Sequence, residues 1–263
     1  MKTRTQFLKS IRSLIGYHQS CGIESYVSTP ELQSGLQALE RHAAGAPQLT
    51  PGGVKSVPEP SPVRVAENPE VFKGASLEEL TAEIVQCRIC PLHDSRKIST
   101  AGRGGAHPHL LIVGDWLGHD TALQGDELFG ADQDRMLDNM MKALGLASED
   151  VFITNVIKCS VGQSYRGATE HVSACTSYLT QQIVRLRPAV ICTMGSVASQ
   201  TLLDTDDSLI SLRGVFHPYT LTDGSVISVM PTFHPTYLLK NPEMKKPTWG
   251  DLQKIGKLLA QRR

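Results

Sequence analysis

Four short runs of consecutive apolar residues stand out along the chain: "LLIVG" at 110–114, "VFITNVI" at 151–157, "AVICTMG" at 189–195 and "VISVMPTF" at 226–233. None alternates regularly with polar residues, so each reads as a strand buried on both faces. Between them lie "DQDRMLDNMMKALGL", "EHVSACTSYLTQQIVRLR" and "SVASQTLLD", which carry helical patterns. Strands alternating with helices predict an α/β domain: a doubly wound, mainly parallel four-stranded sheet with helices on both faces. Ligands of such sheets bind beyond the carboxyl ends of the strands. The notable polar segments all fall at such ends, at 114–130, 155–159, 195–196 and 234–235.

The pattern changes upstream. "QFLKSIRSLIGYH" places Phe7, Leu8, Ile11, Leu14 and Ile15 at helical spacing, and "TPELQSGLQALERHA" opens with Thr29 and Pro30, a cap followed by a first-turn proline. Residues 1–44 therefore read as a small helical extension. Six prolines between 45 and 72 predict an extended linker over 45–75. Order is expected to resume at "SLEELTAEIVQC", where Ser76 and Glu79 fit a capping box, and to continue through the domain 76–263.

Composition narrows the field only in places. Lys and Arg together number 26, as do Asp and Glu, so global charge names no partner. No 18-residue apolar run is present, and no charged leader precedes an apolar one. The expectation is a cytoplasmic monomer with no membrane partner. Six cysteines in such a chain argue for metal or catalytic use rather than disulfides. Four of them form a pattern: Cys87-x2-Cys90, then 68 residues, then Cys159-x15-Cys175. Four thiolates suit a structural zinc or an iron–sulfur cluster. Zinc more often takes two tight pairs, and here the second pair is wide. Cys192 lies inside an apolar run and reads as core.

The first strand runs directly into "GDWLGHDTALQGDELFG", a loop with glycines at 114, 118, 125 and 130, three aspartates and no Lys or Arg. With "CRICPLHDSR", "VFITNVIKC", "RPAVICTMGSVASQTLL", "LRG" at 212–214, "PTFHPTYLLKNP" and "TWGDLQKI", the order and spacing across residues 76–260 resemble the iron–sulfur, family 4 branch of the uracil-DNA glycosylases. The resemblance implies a 4Fe–4S cluster on Cys87, Cys90, Cys159 and Cys175. It also implies a monofunctional DNA glycosylase that flips out a base and hydrolyses its N-glycosidic bond. Its DNA would be double- or single-stranded with an extruded base.

By that resemblance the glycine-rich loop holds a flipped nucleotide, not a dinucleotide. A carboxylate would repel a pyrophosphate, but it stabilises an oxocarbenium-like sugar and orients water. Asp115 and His234 are then the catalytic pair, with His234 supporting charge on the leaving base. Asn155 reads the base edge, and Gly114, Trp116, Thr121, Leu128 and Phe129 line it. Ser196, Lys240, Lys245 and Lys246 are expected on the DNA backbone, joined by Tyr165 and Arg166, with Leu238 and Leu239 as wedges into the stack. Each has a plainer reading, Asp115 as a helix cap, Asn155 as a turn residue and His234 as a satisfied polar group.

The loop departs from the family pattern at informative places. The family proline becomes Leu117, its second glutamate Thr121, and its Pro-Phe pair Glu127-Leu128, with Phe129 one place later. A one-residue slip would bring Phe129 to the base. A threonine near pyrimidine C5 leaves room that a glutamate fills. The expected substrate is thus a C5-modified pyrimidine, such as the modified cytosines of phage DNA, which would make this a defence enzyme. Two alternatives stand: ordinary uracil excision in repair, and a catalytically degenerate module that binds DNA without cutting it.

Overall fold

The structure is a computed structural model that describes residues 76–118, 127–162 and 164–262, together with the backbone of 63–64. The helical extension expected at 1–44, most of the linker, and Cys21 lie outside the described residues.

The four apolar runs become four neighbouring parallel strands: β3 (Leu110–Gly114), β4 (Val151–Asn155), β5 (Val190–Met194) and β7 (Val226–Thr232). Three further strands widen this core into a seven-stranded mixed sheet: β1 (Val63–Arg64), β2 (Arg103–Gly104) and β6 (His217–Thr220). The order across the sheet is β1-β6-β7-β5-β3-β4-β2. The four-stranded expectation is corrected at the edges. There β2 runs antiparallel to β4, β6 antiparallel to β7, and β1, within the proline-rich segment, parallel to β6.

Eight α-helices are described: α1 (Leu77–Gln86), α2 (Leu92–Ser95), α3 (Ala131–Ala143), α4 (Thr169–Leu186), α5 (Ser196–Leu203), α6 (Leu209–Leu212), α7 (Pro235–Lys240) and α8 (Lys245–Arg262). The capping box opens α1 as expected: the Ser76 side chain accepts from the Glu79 N–H, and the Glu79 carboxylate accepts from the Ser76 N–H. Successive strand residues point to opposite faces, and the core divides accordingly. Leu111, Val113 and Ile191 pack with Leu179, Ile183 and Leu202 of α4 and α5. Leu110, Ile112, Val190 and Cys192 pack with Leu137 and Met141 of α3 and with Leu252 and Ile255 of α8. Helices thus cover both faces, and Cys192 is core, as its run implied. No helix among the described residues is long and apolar enough to cross a membrane.

The turn after β7 is held from below. Thr232 donates to Asp251 of α8 at 2.7 Å, Asp251 pairs with Arg213 at 2.6 Å, and the Arg213 guanidinium lies 5.1 Å from the centre of the Phe233 ring. The Leu-Arg-Gly step at 212–214 therefore anchors the residue immediately before His234.

Candidate active site

The carboxyl edge of the parallel core gathers the residues singled out from sequence. Asp115 follows β3, Asn155 ends β4, Gly195 follows β5 and His234 follows β7. Asp115 faces the amino end of α5, where its Oδ1 accepts the Ala198 N–H at 2.7 Å. Gly195 has φ +116°, and a Cβ there would run into the Asp115 carboxylate, so only glycine permits the approach. The cap reading of Asp115 is thus correct in part, since it caps a helix distant in sequence. Burial pushes its pKa up to about 7, against the Ala198 and Val197 N–H groups, which pull it down.

The His234 ring is fixed by its own turn. Its Nδ1 accepts the Thr236 N–H at 3.2 Å as the N-cap of α7. A nitrogen that accepts carries no proton, so the neutral ring bears its hydrogen on Nε2. Nε2 is buried and has no partner among the described residues. Burial lowers the His234 pKa to about 4, which keeps the ring neutral at working pH.

Asn155 is buried, and its Nδ2 donates to the Leu128 carbonyl at 2.7 Å. A carbonyl only accepts, so this bond settles which end of the amide is nitrogen. Oδ1 is left buried without a partner among the described residues. A Cβ at Gly114 would meet both Asn155 Oδ1 and the Phe129 ring. Phe129 in turn lies edge-on to His234, with ring centres 5.0 Å apart. Gly114, Asn155 and Phe129, all buried, and the half-buried His234 therefore form one group. In this group Phe129 supplies the phenyl ring. Leu128 contributes its backbone carbonyl, while its side chain is in the core.

The Trp116 ring lies edge-on to Tyr165 at 5.1 Å and against Gly167. Tyr165 stacks in turn on His171, so these aromatics tie the loop to α4. Leu238 is fully buried and is no wedge, whereas Leu239 is exposed. Ser196, Lys240 and Lys246 are exposed. Lys245 is half-buried and lines a groove of about 580 Å³ with Arg135, Met136, Leu239 and Trp249. Thr121 lies outside the described residues.

The four patterned cysteines are free, and they lie close enough for charge on one to bear on another. Cys159 feels Cys87 and Cys90, and Cys175 feels Cys90 and Cys159. The Arg96 guanidinium donates to Cys159 Sγ at 3.3 Å, and the Lys158 backbone N–H donates to Cys175. Among the described residues no three His, Cys, Asp or Glu side chains close on a single-ion site. Four thiols with cationic and N–H donors to sulfur fit a polynuclear iron–sulfur cluster, which spreads its ligands and carries negative charge. The cysteine segment is also stitched to the loop after β3. Val156, Ile157 and Val161 donate their N–H groups to the carbonyls of Gly114, Asp115 and Leu117 at 2.8, 3.1 and 2.9 Å.

Two buried polar residues escaped the sequence reading. Lys158 donates from Nζ to Thr154 Oγ1, the Asn155 carbonyl and Gln182 Oε1 at 2.8, 2.7 and 2.6 Å. Its only signal was a cation directly after an apolar run. Asp134, on α3, looked like an ordinary first-turn acid.

Comparison with known proteins gives a consistent result. The sequence profile described as the uracil DNA glycosylase superfamily matches residues 101–253. The type-4 uracil-DNA glycosylase of Archaeoglobus fulgidus is 32% identical over 191 residues, which cover 71% of this chain and 95% of that protein. The type-4 enzyme of Saccharolobus solfataricus is 29% identical over 191 residues, covering 71% and 88%. That of Pyrobaculum aerophilum is 35% identical over 128 residues, covering 49% and 65%.

Proposed function

Because the chain belongs to the uracil-DNA glycosylase superfamily, we propose that it is a monofunctional DNA glycosylase that hydrolyses the N-glycosidic bond of an extruded pyrimidine. One observation carries this reading. Asn155 Oδ1 and His234 Nε2–H, an acceptor and a donor near the Phe129 ring, are buried without partners among the described residues, at the strand edge that also holds Asp115. Leaving buried polar atoms unpaired costs about 1–3 kcal/mol each, a cost that a bound base removes.

The chemistry follows from the geometry. Phe129 stacks on the base, Asn155 Oδ1 accepts an N–H from its edge, and His234 Nε2–H donates to its C2 carbonyl oxygen. As the C1′–N bond breaks, its electron pair stays with the base, and His234 stabilises the resulting anion without giving up its proton. The Asp115 carboxylate stabilises the sugar cation and takes a proton from the water that adds to C1′. The base anion is protonated on release. No lysine stands at the water-activating position, so no lyase step follows. Ser196, Lys240, Lys245 and Lys246 hold the DNA backbone.

The four cysteines are proposed to hold a 4Fe–4S cluster, which when bound supplies a rigid cross-link rather than a reacting group. One of its ligands, Cys159, sits on the segment hydrogen-bonded to the Asp115 loop, so the cluster helps to set that loop's position.

These groups predict a pH profile with a stated sign. The acid form of Asp115 is inactive and its pKa lies near 7. Values of kcat/KM should therefore rise about tenfold per pH unit below 7 and level off above it. His234 ionises near 4, so it adds no second limb between pH 5 and 9. A profile flat from pH 5 to 8 would mean that Asp115 ionises below pH 5 in the active protein.

Uracil suits the described pocket, since its N3–H and O2 match Asn155 and His234. A second reading rests on Thr121, which stands where the resembling loops carry glutamate: the pocket also admits pyrimidines enlarged at C5. Thr121→Glu is then expected to lose excision of 5-hydroxymethylated pyrimidines while keeping that of uracil, compared at equal DNA affinity. A wild type that ignores every C5-enlarged base and cuts uracil alone would discard the enlarged pocket.

A further inference from the structure

Phe129 carries the base-stacking ring, yet little of its own side chain explains how the chain at 128–130 holds its course. The explanation lies four residues on. Asp134 is buried on α3 and turns its carboxylate back toward the loop, where it accepts three consecutive backbone N–H groups. The Phe129 N–H reaches Oδ2 at 2.8 Å and the Gly130 N–H at 2.9 Å, while the Leu128 N–H reaches it at 3.2 Å. Arg103, at the sheet edge, donates to the other oxygen at 3.1 Å and to Asp138 at 3.0 Å. Charge-assisted bonds of this kind are roughly twice as strong as neutral ones, and three share one acceptor group here.

What these bonds hold is the base pocket. The segment 128–130 places the Phe129 ring against Gly114 and His234 and offers the Leu128 carbonyl that orients the Asn155 amide. Without that carbonyl no other group among the described residues settles whether Asn155 presents oxygen or nitrogen to the base. We propose that Asp134 is a positioning residue that, through the amides of 128–130, sets both the stacking ring and the hydrogen-bond polarity of the pocket. It substitutes for covalent stiffness. At Glu127 the chain lacks the proline that the resembling loops place there, and proline would restrict φ directly. The inference rests on reading this pocket as a base-excision site.

A double-mutant cycle on the full-length protein tests it, with single-turnover excision of uracil from a duplex as the readout. Asp134→Ala is expected to lower the rate about 100-fold, the scale of a misplaced contact remote from the chemistry. Phe129→Ala should cost about 10- to 100-fold through lost stacking. If Asp134 acts through Phe129, the double variant should be no slower than the slower single variant. Affinity for uracil-free duplex should stay within about twofold, because phosphate contacts supply it. Asp134→Asn keeps one accepting oxygen and should fall between wild type and Asp134→Ala. It also replaces Asp134→Ala in the cycle if circular dichroism shows that variant unfolded. Multiplying losses, or a folded Asp134→Asn indistinguishable from Asp134→Ala, would overturn the proposal. So would failure of both Asp134 variants to fold, which would make Asp134 a folding residue. If the wild type itself leaves uracil in place, the excision reading falls and takes this one with it, an outcome distinct from additive losses in an active enzyme.

Discussion

Asp115→Asn is expected to lower single-turnover base excision by about 10³-fold while leaving DNA affinity unchanged, since it removes transition-state charge and not phosphate contacts. The same variant should melt higher than wild type at pH 8. In the unfolded chain Asp115 ionises near 3.8, whereas in the fold it keeps its proton until about 7. Between those values the unfolded state binds fewer protons, so stability falls as pH rises from 4 to 7 and is level above it. At pH 8 the whole cost is present. Asparagine can still accept the Ala198 N–H and carries no charge, so it removes on the order of 1–3 kcal/mol of that cost. Thermal melts at pH 5 and 8 check the sign: the gain should be large at 8 and small at 5. Loss of activity together with loss of stability would instead mark Asp115 as a helix cap only.

Cys175→Ala is expected to abolish the visible absorption of the anaerobically purified protein and to lower stability by several kcal/mol, because ligand-binding energy of such sites is folding energy. Cys175 is buried in the middle of α4, and Cys159 lies on the segment bonded to the Asp115 loop. Losing one ligand therefore loosens the loop as well as the helix. Cys192→Ala is the control: it thins the core between strands and helices and leaves the iron content unchanged. Stoichiometric iron in Cys175→Ala, or zinc in place of iron in the wild type, would contradict the ligand set.

The central sheet was legible because its four strands are buried on both faces, and unbroken apolar runs are what such burial requires. The outer strands were not. Arg103–Gly104 and Val63–Arg64 are too short for any periodicity, and "HPYT" at 217–220, second from the edge, carries a proline and polar residues in place of an apolar run. Asp115, Asn155 and His234 were visible as polar residues at strand ends, where such sheets place their sites. The packing of Trp116 was hidden because its neighbours, Tyr165 and Gly167, come from a distant segment that no local pattern announces. Leu128 and Phe129 differ by one place in sequence and by backbone geometry in space, so only the fold decides which ring or carbonyl faces the pocket. Asp134 and Lys158 were hidden for a related reason. Charged residues read as solvated until their partners are known, and these partners, backbone groups and side chains alike, are brought together by folding.

The central claim is that this chain breaks the glycosidic bond of an extruded base with Asp115 as the essential carboxylate. Its most direct test is a 5′-labelled duplex carrying one uracil, incubated with excess protein at pH 8 and then treated with alkali. Cleavage at the uracil position with wild type, and about 10³-fold slower cleavage with Asp115→Asn, is the predicted result. An intact strand with iron-loaded wild type that binds the duplex would contradict the account.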